Sequence, residues 1–162
     1  MAVRPIKILG KDKVLRQIAQ PVKRFDRKLA GLLKDMAETM YAADGVGLAA
    51  PQVGVPLRAV VIDVEGQLLE LVNPEIVEAS DEQVDEEGCL SVPGRRGTVL
   101  RPHKVVCIAQ TRRGKTIRVE AEGFLAVAIC HETDHLDGII YTDKMIEDTT
   151  DKPDEEEAEE EA

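Results

Sequence analysis

GFLAVAICHETDHLDG, residues 123–138, carries the strongest structural signal in this chain. The run from Gly123 to Cys130 is apolar on every side, which predicts a helix buried all round. On that helix His131 and His135 fall at i and i+4, one above the other on a single face. Both imidazoles can then reach one metal ion, and Glu132 stands beside His131, close enough to serve as a base toward water on that metal. Glu132 and Asp134 put two acids into one buried turn. Unpaired buried carboxylates are costly, so both require partners or a cation. Gly138 closes the helix in the position after its C-cap.

Upstream of this helix the patterning changes to strands. Arg112-Arg113-Gly114-Lys115 reads as a hairpin turn between a strand ending near Gln110 and the alternating run Thr116 to Glu122. Further strands are predicted at Ala59–Val64, Leu68–Val72, Ile76–Ala79 and Val99–Ile108. The loop Gly45 to Pro56 (GVGLAAPQVGVP) has three glycines, two prolines and no charge. It is too apolar to lie free in solvent, and glycine lets a ligand approach the backbone, so it is expected to line a site. Leu29, Leu32, Leu33, Met36 and Met40 recur at spacings of three and four, predicting an amphipathic helix capped by Asp26 and ending near Ala43. Lys7 to Pro21 reads as an extended piece and a short helical turn. The fold class is α+β: a compact single domain of mostly antiparallel strands around the buried HExxH helix, with an N-terminal amphipathic helix.

A chain of 162 residues is one domain with a real core. Phe25, Tyr41, Phe124 and Tyr141 are its only aromatics, so the core is aliphatic. So few stacking platforms also argue against direct nucleic-acid binding. Residues 151–162 hold eight acids and one lysine, most of the formal charge of −10. Such a run is expected to be disordered, and the chain is divided into a folded domain at residues 1–147 and an acidic, disordered tail at 148–162. No signal peptide or membrane span is visible, and Cys89, Cys107 and Cys130 are expected as reduced thiols in the cytoplasm.

Two histidines need a third protein ligand to hold a catalytic metal. The metalloprotease extension of HExxH requires a histidine where Tyr141 stands, which disfavours that class. Cys130 points about 100° away from His131 around the helix. Cys107 sits in an apolar strand and His103 in a loop. Cys89, in the glycine-flanked EEGCLSVPG, is the best candidate, though spacing alone does not settle the choice.

GVGLAAPQ (45–52), EGCLS (87–91) and HETDHLDG (131–138) resemble, in order and separation, the three signature motifs of peptide deformylases. The resemblance covers residues 1 to about 147. It implies that Cys89, His131 and His135 bind one divalent metal, Fe(II) as the native ion, with zinc, nickel or cobalt able to replace it. It implies removal of the N-formyl group from the N-terminal methionine of new polypeptides. Glu132 would take a proton from the metal's water, the hydroxide would attack the formyl carbon, and the proton would pass to the leaving amine. Gln52 and the Leu90 backbone N–H would stabilise the oxyanion, and Gly47 would offer its backbone to the substrate. Val46, Phe124, Val127 and Ala128 would form the methionine pocket. Glu87 and Arg96 are expected to pair at its edge, and Asp134 with Arg101. Some relatives dock on the ribosome through a basic C-terminal helix. The acidic end of this chain argues against that mode and leaves at most a transient contact. Two rivals are a broader metallopeptidase and a non-catalytic metal- or peptide-binding module.

Overall fold

The computed structural model describes residues 2–151. Its elements run α1 (Arg27–Ala42), β1 (Gly47–Ala49), β2 (Ala59–Asp63), β3 (Leu68–Ser80), β4 (Gln83–Cys89), β5 (Val92–Arg101), β6 (Lys104–Gln110), β7 (Thr116–Glu122), α2 (Phe124–Leu136) and β8 (Met145–Asp148). The strands form two antiparallel sheets, one ordered β1-β2-β3-β6-β7 and the other β4-β5-β8. Among the described residues no helix is long and apolar enough to cross a membrane.

β2 explains the architecture. Its side chains alternate between faces, yet Ala59 to Ile62 are all fully buried. Val60 and Ile62 pack with Ala126, Ala128 and Ile129 of α2, while Ala59 and Val61 pack with Leu29, Leu33, Met36 and Met40 of α1. The large sheet is thus covered by a helix on each face where β2 crosses it. α1 begins at its expected cap, where the Asp26 carboxylate accepts from the Leu29 N–H at 3.1 Å. α2 ends at Gly138, whose φ is +74°. A Cβ there would also lie 2.6 Å from the Arg16 carbonyl oxygen, so only glycine fits.

Several strand boundaries differ from expectation. The two short strands predicted at 68–72 and 76–79 are one strand, β3, with an irregularity at Asn73-Pro74. Asn73 adopts φ +51°, and its side chain bonds Val22 and Gln110 there. The strand predicted over 99–108 is instead split at Pro102-His103 into β5 and β6, which belong to different sheets. β1 and a short 3-10 turn at Ala50–Val53 lie inside the predicted loop. β8 continues through Asp148 and Thr149 is buried, so the chain remains packed past the expected boundary at 147. Of the acidic tail expected at 148–162, residues 152–162 lie outside the described residues.

Candidate metal centre

α2 presents His131 and His135 toward the end of the β4–β5 hairpin. A register shift between Glu87 and Cys89 turns the thiol into the same space. The ligand atoms of Cys89, His131 and His135 all lie within 4.8 Å of one another, and Cys89 Sγ is 3.3 Å from His135 Nε2. Cys107 and Cys130 belong to the core, and His103 is not part of the cluster. Burial pushes His135 well below its ordinary value, with His131 and Arg101 acting in the same direction. One thiol and two imidazoles suit a divalent metal with a fourth position open. The environment fits too: Glu132 Oε1 is buried with no hydrogen-bond partner among the described residues, 4.0 Å from His135 Nε2. An orphaned carboxylate oxygen beside three metal donors calls for a cation or its water.

The ring of His131 is fixed from behind. Its Nδ1 lies 2.8 Å from Glu87 Oε1, which leaves Nε2 for the metal side. Glu87 in turn accepts two bonds from the Arg101 guanidinium, at 2.9 and 3.0 Å. The remaining arm of Arg101 reaches Asp134 at 2.7 Å, as expected, and Lys144 closes on Asp134 at 3.0 Å. Burial opposes the charges of both Glu87 and Arg101. The bonds and charges of His131 and Arg101 nevertheless prevail at Glu87 and hold it below its ordinary value, and those of Glu87 and Asp134 hold Arg101 above its own. The expected pairing of Glu87 with Arg96 does not form. Alternation along β5 sends Gly97, Val99 and Arg101 inward, while Arg96 turns to Glu86 at 3.2 Å. Tyr141, standing where a metalloprotease needs a histidine, is buried and stacks on His131 at 6.0 Å.

In front of the donors lies a cavity of about 440 Å³. Val46, Gly47, Gln52, Leu90, Phe124, Val127 and Ala128 all line it, as expected; Arg96 does not, and Arg95 stands in the wall instead. Val127 and Ala128 are buried, whereas Val46 and Phe124 are half-exposed at the rim. Gln52 is fully buried: its Oε1 accepts from the Ala49 N–H at 2.9 Å, and its Nε2 donates to Ser91 Oγ at 3.1 Å, 3.5 Å from Cys89 Sγ. Ser91 is a member of the site that sequence reasoning misses, although it lies in the Leu90-Ser91 turn that joins β4 to β5. Gly47 passes so close to Glu132 that a Cβ would overlap its carboxylate. Burial drives the Glu132 carboxyl up to about 7, with Glu87 adding to the shift and His131 and Arg101 pulling against it.

Comparison with known proteins agrees with this geometry. Residues 3–151 match the family described as Polypeptide deformylase. A peptide deformylase of Acetivibrio thermocellus is 60% identical over 90% of this chain and 85% of its own length. Peptide deformylase 1 of Clostridium acetobutylicum is 52% identical over 91% and 97%. Crystal structures of peptide deformylases from Legionella pneumophila and Thermotoga maritima each match with a TM-score of 0.86, at 49% and 42% identity. Both cover 88% of this chain, and 86% and 97% of their own. Identity at this level over nearly the whole fold, with all three motifs meeting in one cavity, makes this chain a member of the peptide deformylase family.

Proposed function

We propose that this protein removes the N-formyl group from the N-terminal methionine of newly made polypeptides and releases formate. The observation that supports this most is the convergence of Cys89, His131 and His135 with the Glu132 carboxylate and the Gln52 amide on one cavity. A divalent metal held by Cys89, His131 and His135 supplies, when bound, a Lewis acid that acidifies water and polarises a carbonyl oxygen. Glu132 accepts the proton of the attacking water and returns it to the methionine nitrogen as the C–N bond breaks, so that amide and water become amine and formate. Gln52 Nε2 and the Leu90 N–H stabilise the negative charge that develops on the formyl oxygen. Gly47 pairs with the extended substrate backbone. Val46, Phe124, Val127 and Ala128 hold the methionine side chain, and Glu87 orients His131.

The deciding experiment is incubation of the metal-loaded protein with formyl-Met-Ala-Ser, followed by assay of both formate and peptide fragments. Formate with intact peptide bonds is expected. Fragments would point to a metallopeptidase, and retained binding without product to a non-catalytic module.

A Cys/His/His set accepts Fe(II), zinc, nickel or cobalt, and we take Fe(II) as the native ion. The iron form should lose activity in air, with reductant or Ni(II) or Co(II) substitution protecting it. Equal half-lives of the iron form with and without oxygen would refute this. The reaction is assigned to the cytoplasm, where formylated chains emerge. The acidic C-terminus is repelled by ribosomal RNA, so stable ribosome docking through it is not expected.

A further inference from the structure

We infer that Tyr141 and Lys144, in one short turn behind the metal centre, are positioning residues that fix the ring of His131 from two sides. The inference rests on the metal held by Cys89, His131 and His135 in the deformylase reading. The Glu87 contact, 2.8 Å from Nδ1, anchors this ring at one atom of its edge. A ring held only there can still tilt about that contact, and tilt carries Nε2 away from the metal. Tyr141 supports the flat of the ring: the two planes lie 23° apart at a centroid distance of 6.0 Å. His135 meets the same ring edge-on, at 67°, and gives its face no such support. Tyr141 is itself 1% exposed and packs among Leu15, Val92, Val99 and Ile140. Its hydroxyl has no hydrogen-bond partner among the described residues, so the support comes from the ring.

Lys144 works on the edge of the ring. Its Nζ and Arg101 Nη1 share Asp134 Oδ2, at 3.0 and 2.7 Å. The rest of the Arg101 fork donates to Glu87 at 2.9 and 3.0 Å, and Glu87 holds His131. Without Lys144, Asp134 would be matched by Arg101 alone, and its pull on the guanidinium would compete with that of Glu87. Lys144 is thus the outer anchor of a charged chain whose inner end is a metal ligand. Its side chain is 44% exposed, against 17% for Asp134, 3% for Arg101 and 4% for Glu87, so salt screens this link far more than the inner ones. The turn is itself pinned. Arg16 grips Asp143 at 2.5 and 3.0 Å, and Asp143 accepts from the Ile140 N–H at 3.0 Å. The Lys144 N–H closes on the Tyr141 carbonyl at 3.0 Å, which ties the two positioning residues together.

The test measures Co(II) affinity, by anaerobic competition with a chelator, in the full-length parent and in Tyr141→Phe, Tyr141→Leu, Tyr141→Met, Lys144→Arg and Lys144→Met. The Co(II) absorption bands, the denaturant midpoint and formate release from formyl-Met-Ala-Ser are read on the same loaded proteins. Tyr141→Leu and Tyr141→Met should each weaken binding about tenfold and alter the Co(II) bands, as loosening the support of a ligating histidine does. Lys144→Met should weaken it about fivefold at low salt, and the gap to the parent should close at roughly 0.5 M salt. Tyr141→Phe and Lys144→Arg keep the ring and the charge, and should stay within about twofold of the parent. A lower midpoint with unchanged affinity and bands would make the side chain concerned a packing residue. Failure of both aliphatic Tyr141 variants to fold would do the same for Tyr141. Affinity within about twofold of the parent in Tyr141→Leu, Tyr141→Met and Lys144→Met overturns the inference, whatever their stability. A parent that takes up no Co(II) removes the metal-centre reading, and the inference with it. Uptake without formate removes the deformylase reading alone.

Discussion

Glu132→Gln should leave the fold and the bound metal in place while lowering kcat/KM for formyl-Met-Ala-Ser by about 10³-fold, within the range expected when a general base is lost. The substitution is nearly isosteric at a position that is only 4% exposed, so no cavity forms and no packing changes. None of Cys89, His131 and His135 is altered, and metal content measured on the purified variant should match the parent. Only the ability to take and return a proton is removed. Burial already holds this carboxyl up to about 7, close to the working range of a group that must do both. A bound cation in the same cavity draws that value down. The active form is the ionised one, so kcat/KM should fall on the acid side as Glu132 gains its proton. The Glu132→Gln protein should lack that acid limb. A variant retaining more than a tenth of parental activity would show that the proton is handled elsewhere.

What can be read from the residues alone is what depends on near neighbours in sequence. The i, i+4 histidines, the apolar spacing of α1, the Asp26 cap and the 112–115 hairpin are all local patterns, and each element stands where it is expected. β4 escapes a reading of the sequence because QVDEEGC is an edge strand with one pairing partner and mostly exposed polar side chains. The first half of β5, VPGRRG, carries one proline and two glycines, and its pairing with β4 and β8 is not encoded in its own composition. At Gly97 the reason for the glycine is visible only in three dimensions, since a side chain would collide with Met145 of β8. The same limit applies to the site. The expected partner of Glu87, Arg96, turns instead to Glu86, and Arg101 takes its place. The alternation running back from inward Val99 through Gly97 is the one available sign that Arg101, not Arg96, faces in.

The pair that does form leads to the second large effect. Arg101→Met should destabilise the fold by about 3–5 kcal/mol, the range for stripping one partner from a buried ion pair. The side chains of Arg101 and Glu87 are 3% and 4% exposed, so water cannot replace the lost guanidinium. Asp134 is less affected, because Lys144 still reaches it at 3.0 Å from the half-exposed side. The cost therefore concentrates on Glu87, left charged and without a cation beside His131. Some of it should return in Arg101→Met/Glu87→Gln, where the amide removes the stranded charge yet can still accept from His131 Nδ1. Metal affinity offers a separate readout. Loosening the group that orients a ligating histidine typically weakens binding 10–100-fold, which a competitive chelator titration would detect. The pH dependence follows from the same pair. Glu87 is held below its ordinary range, so in the parent its stabilisation is present at neutral pH and is lost as pH falls through the carboxylate range. Arg101→Met should flatten that acid-side loss in denaturant unfolding. A variant within about 1 kcal/mol of the parent, with unchanged metal affinity, would mean that Arg101 does not hold the centre together.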